Sequence, residues 1–266
     1  MGEIVSFYSF KGGTGRSTCL SNVAFELAKR GETVGCMDFD LSAPGLHMIY
    51  DIGPNRRART KSIHDYLGGN KKTQRELSDY VLDVQKSYRD TDFEGKLLLM
   101  PGDINPQVAA EMADDSQREF ANIQDLVRDF ETEYNLDYVF LDSRSGISNQ
   151  AMPIFQASDH LLTFSKWTHQ HKLGTYQLLD WIGGVISRDP RYFDKVLGIG
   201  SNVPPEVAGE DVADWVDSEL PPFVGDTTAI HESEILKKEE KVVIDDHSDQ
   251  LIADEYKIVA DLIQQL

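Results

Sequence analysis

Short apolar runs alternate with longer segments of helical periodicity along this 266-residue chain. Six apolar runs are flanked by turn residues, as buried parallel strands are, namely "EIVSFY", "TVGCMDF", "KLLLMPG", "LDYVFLD", "HLLTFS" and "KVLGIGSN". Between them, two sets of apolar residues recur at near-helical spacing: Phe120, Ile123, Leu126, Val127, Phe130 and Tyr134, and Tyr176, Leu179, Ile182 and Ile186. This alternation predicts an α/β fold with a mostly parallel, twisted sheet and helices on both faces.

The pattern favours a single domain over residues 1–266, since a chain of this length can bury one large core. Two segments, from Gly53 to about Lys72 and from Pro204 to Pro222, carry the proline and glycine signals of irregular excursions. Neither is polar enough over enough length to be an interdomain linker.

The C-terminal segment, from about Asp249 to Leu266, predicts an amphipathic helix. Its apolar stripe comprises Leu251, Ile252, Val259, Leu262 and Ile263, and its polar face is acidic. A membrane-surface helix favours lysine and arginine on that face, so packing on the domain or against a partner is the better interpretation.

The formal net charge of −19 disfavours nucleic acid and anionic lipid as partners, because the average surface field repels both. One segment departs from this average, with Arg56, Arg57, Arg59, Lys61, Lys71, Lys72 and Arg75 close together. It is either a solvated loop or a docking surface for an acidic partner or a phosphate backbone.

Two cysteines, Cys19 and Cys36, lie in apparently regular segments without a partner motif. They are interpreted as core thiols of a protein in the reducing cytoplasm. No apolar run approaches the roughly 18 residues of a membrane span. The sequence therefore predicts a cytoplasmic protein without stable membrane anchoring.

The stretch "KGGTGRST", residues 11–18, follows a predicted strand and opens a predicted helix. Glycines at such a turn let successive backbone N–H groups form an anion-binding nest, and the helix adds its positive N-terminal dipole. The spacing differs from the standard phosphate loop, Gly-x4-Gly-Lys-Ser/Thr. Its usual lysine position is occupied by Arg16.

This stretch resembles the deviant Walker A motif, Lys-Gly-Gly-x-Gly-Lys-Ser/Thr, of the ParA and MinD family of P-loop ATPases. Two further blocks carry the resemblance: "TVGCMDFDLSAPGLH" is similar to the family's second strand and switch I, and "LDYVFLDSRSGIS" to its Walker B strand and switch II. The arginine places the chain nearest to a less characterised branch of that family.

The resemblance implies ATP and Mg²⁺ as cofactors and assigns a role to each matching residue. The nucleotide-binding set is Gly12, Gly13, Thr14, Gly15, Arg16, Ser17, Thr18, Gly146 and Asn202. The metal set is Ser17, Asp38 and Asp142, and the catalytic set is Lys11, Arg16 and Asp40. Asp40 matches the residue that orients the attacking water, the main task left to the protein beyond positioning and charge neutralisation.

Lys11 matches the family's signature lysine, which reaches the partner's phosphates across a nucleotide-sandwich dimer. The resemblance therefore implies an ATP-dependent homodimer, the alternative being a surface lysine beside the loop. Arg144 departs from the proline common in switch II. It either senses phosphate, bridges the dimer or makes an ordinary salt bridge. Asn202 matches the position that reads adenine, although an asparagine in a turn needs no such role.

His169 and His171 lack a neighbouring ligand at credible spacing and are interpreted as polar residues at a helix start. Arginine keeps the charge of lysine but copies its geometry poorly, so nucleotide binding should survive Arg16 more easily than the hydrolysis rate. The resemblance favours a slowly hydrolysing ATP switch that recruits a protein partner. The alternatives are a non-hydrolysing ATP-gated dimer and a ParA-like positioner of DNA or cargo. A defence or signalling module is the setting that the arginine branch implies.

Overall fold

The computed structural model describes residues 1–40, 43–68, 76–103, 121–146, 151–186, 193–247 and 250–266. Its strands are β1 (Glu3–Ser9), β2 (Thr33–Phe39), β3 (Leu82–Asp83), β4 (Lys96–Met100), β5 (Tyr138–Ser143), β6 (His160–Lys166), β7 (Lys195–Val203) and β8 (Val224–His231). They form one sheet in the order β3-β4-β2-β5-β1-β6-β7-β8, parallel except between β3 and β4. The predicted mostly parallel sheet is confirmed.

The described helices are α1 (Arg16–Lys29), α2 (Leu46–Ile49), α3 (Pro54–Arg57), α4 (Ile63–Gly68), α5 (Ala121–Tyr134), α6 (Ala151–Gln156), α7 (His169–Ile186), α8 (Gly209–Glu219), α9 (Val243–Asp246) and α10 (Leu251–Ile263). Short 3-10 helices lie at Leu77–Asp79 and Val84–Ser87. Within these residues, no helix is long and apolar enough to cross a membrane.

Side chains that alternate along β1 place helices on both faces of the sheet. Val5 and Phe7 share a core with α1 and α10. Ile4 packs in the cluster that contains α5, and Tyr8 in the cluster that contains α7 and α8. Because successive strand residues point to opposite faces, these clusters lie on the two sides of one sheet.

Helix α1, which follows the candidate phosphate loop, is buried around nearly its whole circumference. All residues from 18 to 25 are buried. The sheet packs on one side of the helix and α10 on the other. This burial fixes the helix that begins at the loop, so the loop is attached to a rigid element.

Two segments differ from the sequence prediction. Helix α8 lies within the stretch from Pro204 to Pro222, where the pattern predicts irregular structure, and β8 follows it as an unpredicted edge strand. Strand β8 carries few buried apolar side chains, and Gly225 and Asp226 are exposed. The segment from Gly53 contains α3 and α4, while residues 69–72 lie outside the described residues.

The buried apolar stripes of α7 and α10 also differ from the sets of residues that the sequence predicts. Tyr176 is 44% exposed, and α7 packs through Leu178, Leu179 and Ile182 instead. Helix α10 begins at Leu251, which is 65% exposed and lies off the buried stripe. The remaining stripe residues of α10 join the core with α1, which confirms packing on the domain. Phe120 and Asp249 lie outside the described residues.

Candidate nucleotide-binding site

The turn between β1 and α1 has the backbone of a phosphate cradle. Gly13 (φ 74°) and Gly15 (φ 72°) adopt the left-handed conformation that residues with side chains rarely adopt, and Gly15 is the N-cap of α1. A Cβ atom at either position would meet nothing within 4 Å, so glycine is required at both for conformation and not for space. The first N–H groups of α1 have no intrahelical acceptors, and these groups are the donors that an anion needs.

A cavity of about 310 Å³ opens over this turn. Its walls comprise the candidate phosphate-binding residues, one residue of β1, and residues of three other segments. They are Ser9, Gly12, Gly13, Thr14, Gly15, Arg16, Ser17, Thr18, Asp40, Ala43, Ser145 and Glu240. The nucleotide-binding residues predicted between positions 12 and 18 therefore surround one space.

Asp38 and Asp142 are register partners on the adjacent strands β2 and β5. Both side chains are buried. Asp38 accepts hydrogen bonds from the backbone N–H of Leu46 (3.1 Å) and of Asp40 (3.2 Å). Burial, reinforced by the neighbouring Asp142, raises the pKa of Asp38 well above its usual range. Two carboxyl groups so close in the interior favour a cation between them.

Arg16 provides a positive charge beside Asp142 in this structure. Its Nε lies 2.6 Å from Oδ1 of Asp142, and one terminal nitrogen lies 3.5 Å from Oδ2 of Asp40. The Arg16 side chain is only 7% exposed. Burial alone would lower the pKa of Arg16, but the charges of Asp142, Asp40 and Asp38 raise it above the usual value. Burial raises the pKa of Asp142, against the lowering effects of Arg16 and of a Ser17 hydrogen bond.

Of the two other predicted catalytic residues, Asp40 contacts this cluster, whereas Lys11 lies near α7. Asp40 lines the cavity, and its Oδ1 accepts a hydrogen bond from the backbone N–H of Ala43 (3.3 Å). Lys11 is partly exposed, and its carbonyl accepts a hydrogen bond from the Ser9 hydroxyl (2.8 Å). Burial lowers the pKa of His171 in α7, and the charge of Lys11 lowers it further, so the lysine side chain lies near that helix.

Gly146, in the predicted switch II segment, is hydrogen-bonded to β1. The backbone N–H of Gly146 donates to the carbonyl of Ser9 (3.0 Å), and the carbonyl of Gly146 accepts a hydrogen bond from the Tyr8 hydroxyl. The Gly146 amide is therefore engaged, and contact with a γ-phosphate requires this bond to open. Arg144 is exposed and makes no ion pair with another described residue.

A second cavity of about 210 Å³ adjoins the first and shares Gly13, Thr14, Gly15, Thr18 and Glu240 with it. Asn202, with a left-handed φ of 47°, lines this space. The other lining residues are Ser201, Ile230, His231, Ser233, Leu236, Lys237 and Tyr256. A partly apolar wall beside a phosphate cradle is suited to a nucleobase, and the position of Asn202 in that wall is compatible with its predicted role.

Two polar residues are absent from the sequence prediction, namely His231, which lines the second cavity, and Asn22 in α1. His231, at the end of β8, pairs through Nδ1 with Oε1 of Glu255 (2.5 Å), and its Nε2 lies 2.9 Å from the carbonyl of Val207. Asn22, in the middle of α1, joins that helix to the start of α9 by accepting a hydrogen bond from the backbone N–H of Val243. A polar residue inside an apolar helix, and a glutamate within the buried stripe of α10, are the signals that could have indicated them.

Part of the predicted basic segment has internal partners. Arg57 is buried and donates to the carbonyls of Thr60 (3.0 Å) and Gly102. Arg56 donates to Ser87 Oγ (2.8 Å), and Lys61 pairs with Asp79 (2.6 Å). Lys71, Lys72 and Arg75 lie outside the described residues. His169 is the first residue of α7, which confirms its predicted place at a helix start.

The donors fit the predicted cofactors. The carboxylates of Asp38 and Asp142 and the hydroxyl of Ser17 are hard oxygen ligands, which Mg²⁺ prefers. In the described part of the chain, no three acidic, histidine or cysteine side chains are grouped to hold a metal by themselves. Mg²⁺ commonly takes one or two carboxylates and fills its remaining positions with water and phosphate oxygens.

The fold and this site define a P-loop nucleotide-binding protein. Residues 2–194 match a family model described as an AAA domain, and the chain belongs to that family of ATPases. The predicted ParA/MinD membership is confirmed. Among solved structures, the MinC:MinD cell division protein complex of Aquifex aeolicus is similar with a TM-score of 0.73 and 20% identity, over 100% of this chain and 96% of that one. A ParA family ATPase from Chlorobium tepidum gives 0.73 and 17%, over 97% of each chain.

Among curated proteins, the flagellum site-determining protein YlxH of Helicobacter pylori is 25% identical over 59% of this chain and 46% of its own length. An ATP-binding protein of Methanocaldococcus jannaschii is 25% identical over 60% of this chain and 51% of its own length. The chain thus spans about half the length, or less, of the curated relatives it matches.

Proposed function

We propose that the chain binds ATP and Mg²⁺, hydrolyses ATP slowly, and uses the bound nucleotide to control a homodimer and a protein partner. One observation carries this proposal: the glycine cradle, Arg16 and Asp40 line a single cavity of about 310 Å³. We also propose that residues 1–266 form one domain in the cytoplasm, where two free, buried thiols such as Cys19 and Cys36 are expected.

In this proposal the backbone N–H groups of residues 12 to 15 and the N-terminus of α1 hold the phosphates. Ser17, Asp38 and Asp142 would hold Mg²⁺, directly or through water, and the metal would neutralise phosphate charge. Asp40 orients the attacking water from the rim of the cavity. The base occupies the second cavity, where Asn202 offers an amide that can both donate and accept hydrogen bonds.

Lys11 supplies positive charge to the nucleotide of a second copy. Lys11 is partly exposed and adjoins Gly12, which lines the cavity, and this exposure supports a contact made outside its own chain. Several similar proteins bear names of spatial regulators, including septum site-determining and flagellum site-determining proteins. These names support a switch that acts on a protein partner.

A non-hydrolysing, ATP-gated dimer is the second candidate, and the ion pair between Arg16 and Asp142 favours it. An arginine held by the Walker B carboxylate is not available for phosphate until that pair opens. DNA or cargo positioning is the third candidate. It is weakened because Arg56, Arg57 and Lys61, in the basic segment, already have partners within the chain.

The test is phosphate release by the purified chain with ATP and Mg²⁺ over a range of protein concentrations. Asp40→Ala should abolish turnover, whereas the matched control Asp217→Ala, an exposed carboxylate on α8, should not change it. Turnover per protein should rise with protein concentration, because the active form is a dimer. Binding of ATP without phosphate release, restored to release by Arg16→Lys, would instead establish the second candidate.

Mixing two inactive variants tests whether Lys11 acts in trans. In a mixed dimer of Lys11→Ala and Asp40→Ala, one site has the wild-type Asp40 and faces the wild-type Lys11 of its partner. Random pairing makes half of the dimers mixed, each with one complete site, so activity should return to about a quarter of the wild-type value. No recovery on mixing would show that Lys11 serves its own chain.

A further inference from the structure

The guanidinium of Arg16 lies where a metal ion would neutralise the carboxyl groups at the ends of β2 and β5. It is 2.6 Å from Asp142 and 3.5 Å from Asp40, and the charge of Asp38 also acts on it. This fork-shaped group reaches two carboxylates from different atoms at once, through Nε and a terminal nitrogen. The single ammonium of a lysine could not reproduce that arrangement.

We propose that Arg16 is a resident counter-cation of the metal-binding carboxylates, so that Mg²⁺ binds appreciably only together with nucleotide. Phosphate would draw Arg16 away from Asp142, whose carboxylate would then be free to hold Mg²⁺. This inference rests on the proposed function, because it concerns the nucleotide and metal of the same site. The inference adds a coupling between Mg²⁺ binding and nucleotide binding, which the usual lysine at this position would provide only weakly.

Metal and nucleotide binding should be coupled because the charges of Arg16 and Asp142 are buried. Asp142 is 1% exposed, and Arg16 is 7% exposed. Removing one partner from a buried pair leaves an uncompensated charge, which is far more costly than the pair itself. Neither Arg16 nor Mg²⁺ can therefore leave Asp142 unless the other replaces it. Nucleotide provides the new position for Arg16, so metal and nucleotide should bind with strong positive coupling.

The experiment measures Mg²⁺ binding to the nucleotide-free chain, by calorimetry and by the Mg²⁺-dependent rise in Tm. The wild type should show weak binding and little rise. In Arg16→Gln the carboxylates lose their cation, and Mg²⁺ alone should bind at least about tenfold more tightly, because a like charge a few ångströms away has been removed. Arg128→Gln is the matched control. It makes the same change in net charge at an exposed position on α5, outside the candidate site, and it should leave Mg²⁺ binding as in the wild type.

If Arg16→Gln does not fold, Arg16→Lys provides a second test of the proposal. A lysine keeps the charge but loses one of the two contacts, so Mg²⁺ alone should bind more tightly than to the wild type. Mg²⁺ affinity that is the same in wild type and in every folded Arg16 variant would overturn the proposal. So would tight Mg²⁺ binding by the nucleotide-free wild type.

Titration of the wild type with ADP and with ATP, each with EDTA and with Mg²⁺, separates this inference from the proposed function. Mg²⁺ should strengthen nucleotide binding at least about tenfold if coupling is present. Nucleotide binding that is strong but independent of Mg²⁺ overturns the coupling and leaves the binding function intact. Absence of binding under both conditions overturns the proposed function itself.

Discussion

The side-chain amide of Asn22, in the middle of α1, ties that helix to the segment leading into α9. Its Nδ2 donates to the carbonyls of Thr18 (2.9 Å) and Lys241 (3.1 Å). Its Oδ1 accepts from the backbone N–H of Val243 (2.7 Å) and of Ile244 (3.3 Å). The residue has no exposed surface, so water does not replace these bonds. Asn22→Ala removes all four.

The loss of stability in Asn22→Ala depends on which polar groups lose their hydrogen-bond partners. The N–H groups of Val243 and Ile244 lie at the start of α9, where they have no intrahelical acceptor, and the Lys241 carbonyl loses this donor. A buried polar group left unpaired costs roughly 1–3 kcal/mol, and relaxation of a short segment recovers part of it. We expect Asn22→Ala to lower the free energy of unfolding by about 3 kcal/mol, which is a large share of the stability of a typical domain.

Urea unfolding followed by tryptophan fluorescence and by far-UV circular dichroism measures this loss. Gln124→Ala is the control, because its amide donates to the carbonyl of Gln156 (2.8 Å) at an exposed position. It should cost less than about 0.5 kcal/mol. A similarly small cost for Asn22→Ala, with an unchanged slope against urea, would refute the idea that the three hydrogen bonds from Asn22 to Lys241, Val243 and Ile244 hold α1 to the α9 segment.

Two further predictions concern titratable groups. Burial lowers the pKa of His231, but hydrogen bonds to Val207 and Glu255 raise it by more, so it is raised from the usual 6.5. Its pairing therefore stabilises the fold fully below pH 6.5 and is lost as pH rises through the raised value. His231→Gln should cost about 1–2 kcal/mol at pH 6 and clearly less at pH 9, and an equal cost at both would contradict the pairing. Burial raises the pKa of Cys36 to about 12 and raises that of Cys19 too, so at pH 8 neither thiol should react with Ellman's reagent until the chain is denatured.

The sequence predicts the fold well wherever strands are buried on both sides. The runs that form β1, β2 and β5 are mostly apolar and buried at every position but the first, because both faces meet helices, and that signal is hard to mistake. Strand β8 has the opposite character. It lies at an edge, its residues alternate irregularly between buried and exposed, and Asp226 and two threonines interrupt the pattern. Helix α8 has a weak sequence signal because its buried side is narrow and the rest of it is acidic.

In the candidate site, too, some features can be predicted from the sequence and others cannot. The glycine cradle is local in sequence, so residues 11 to 18 indicate it by themselves. The partner of Arg16 is 126 residues away in the chain, and the pairing depends on β5 lying beside both β1 and β2. Likewise, His231 and Glu255 meet only because α10 packs beside β8. Long-range pairs of this kind have no signature in a single sequence.

The position of β5 between β2 and β1 has a consequence for the order in which the chain can fold during synthesis. β1 and β2 are made first, but they are not neighbours in the sheet. On the edges that face each other, each can pair only with β5 (Tyr138–Ser143), which is made later. A nascent chain that ends before β5 has emerged therefore leaves unpaired the edges of β1 and β2 that face β5. We expect such chains to depend on chaperones, and the carboxylate that holds Arg16 arrives on the same strand that closes the sheet.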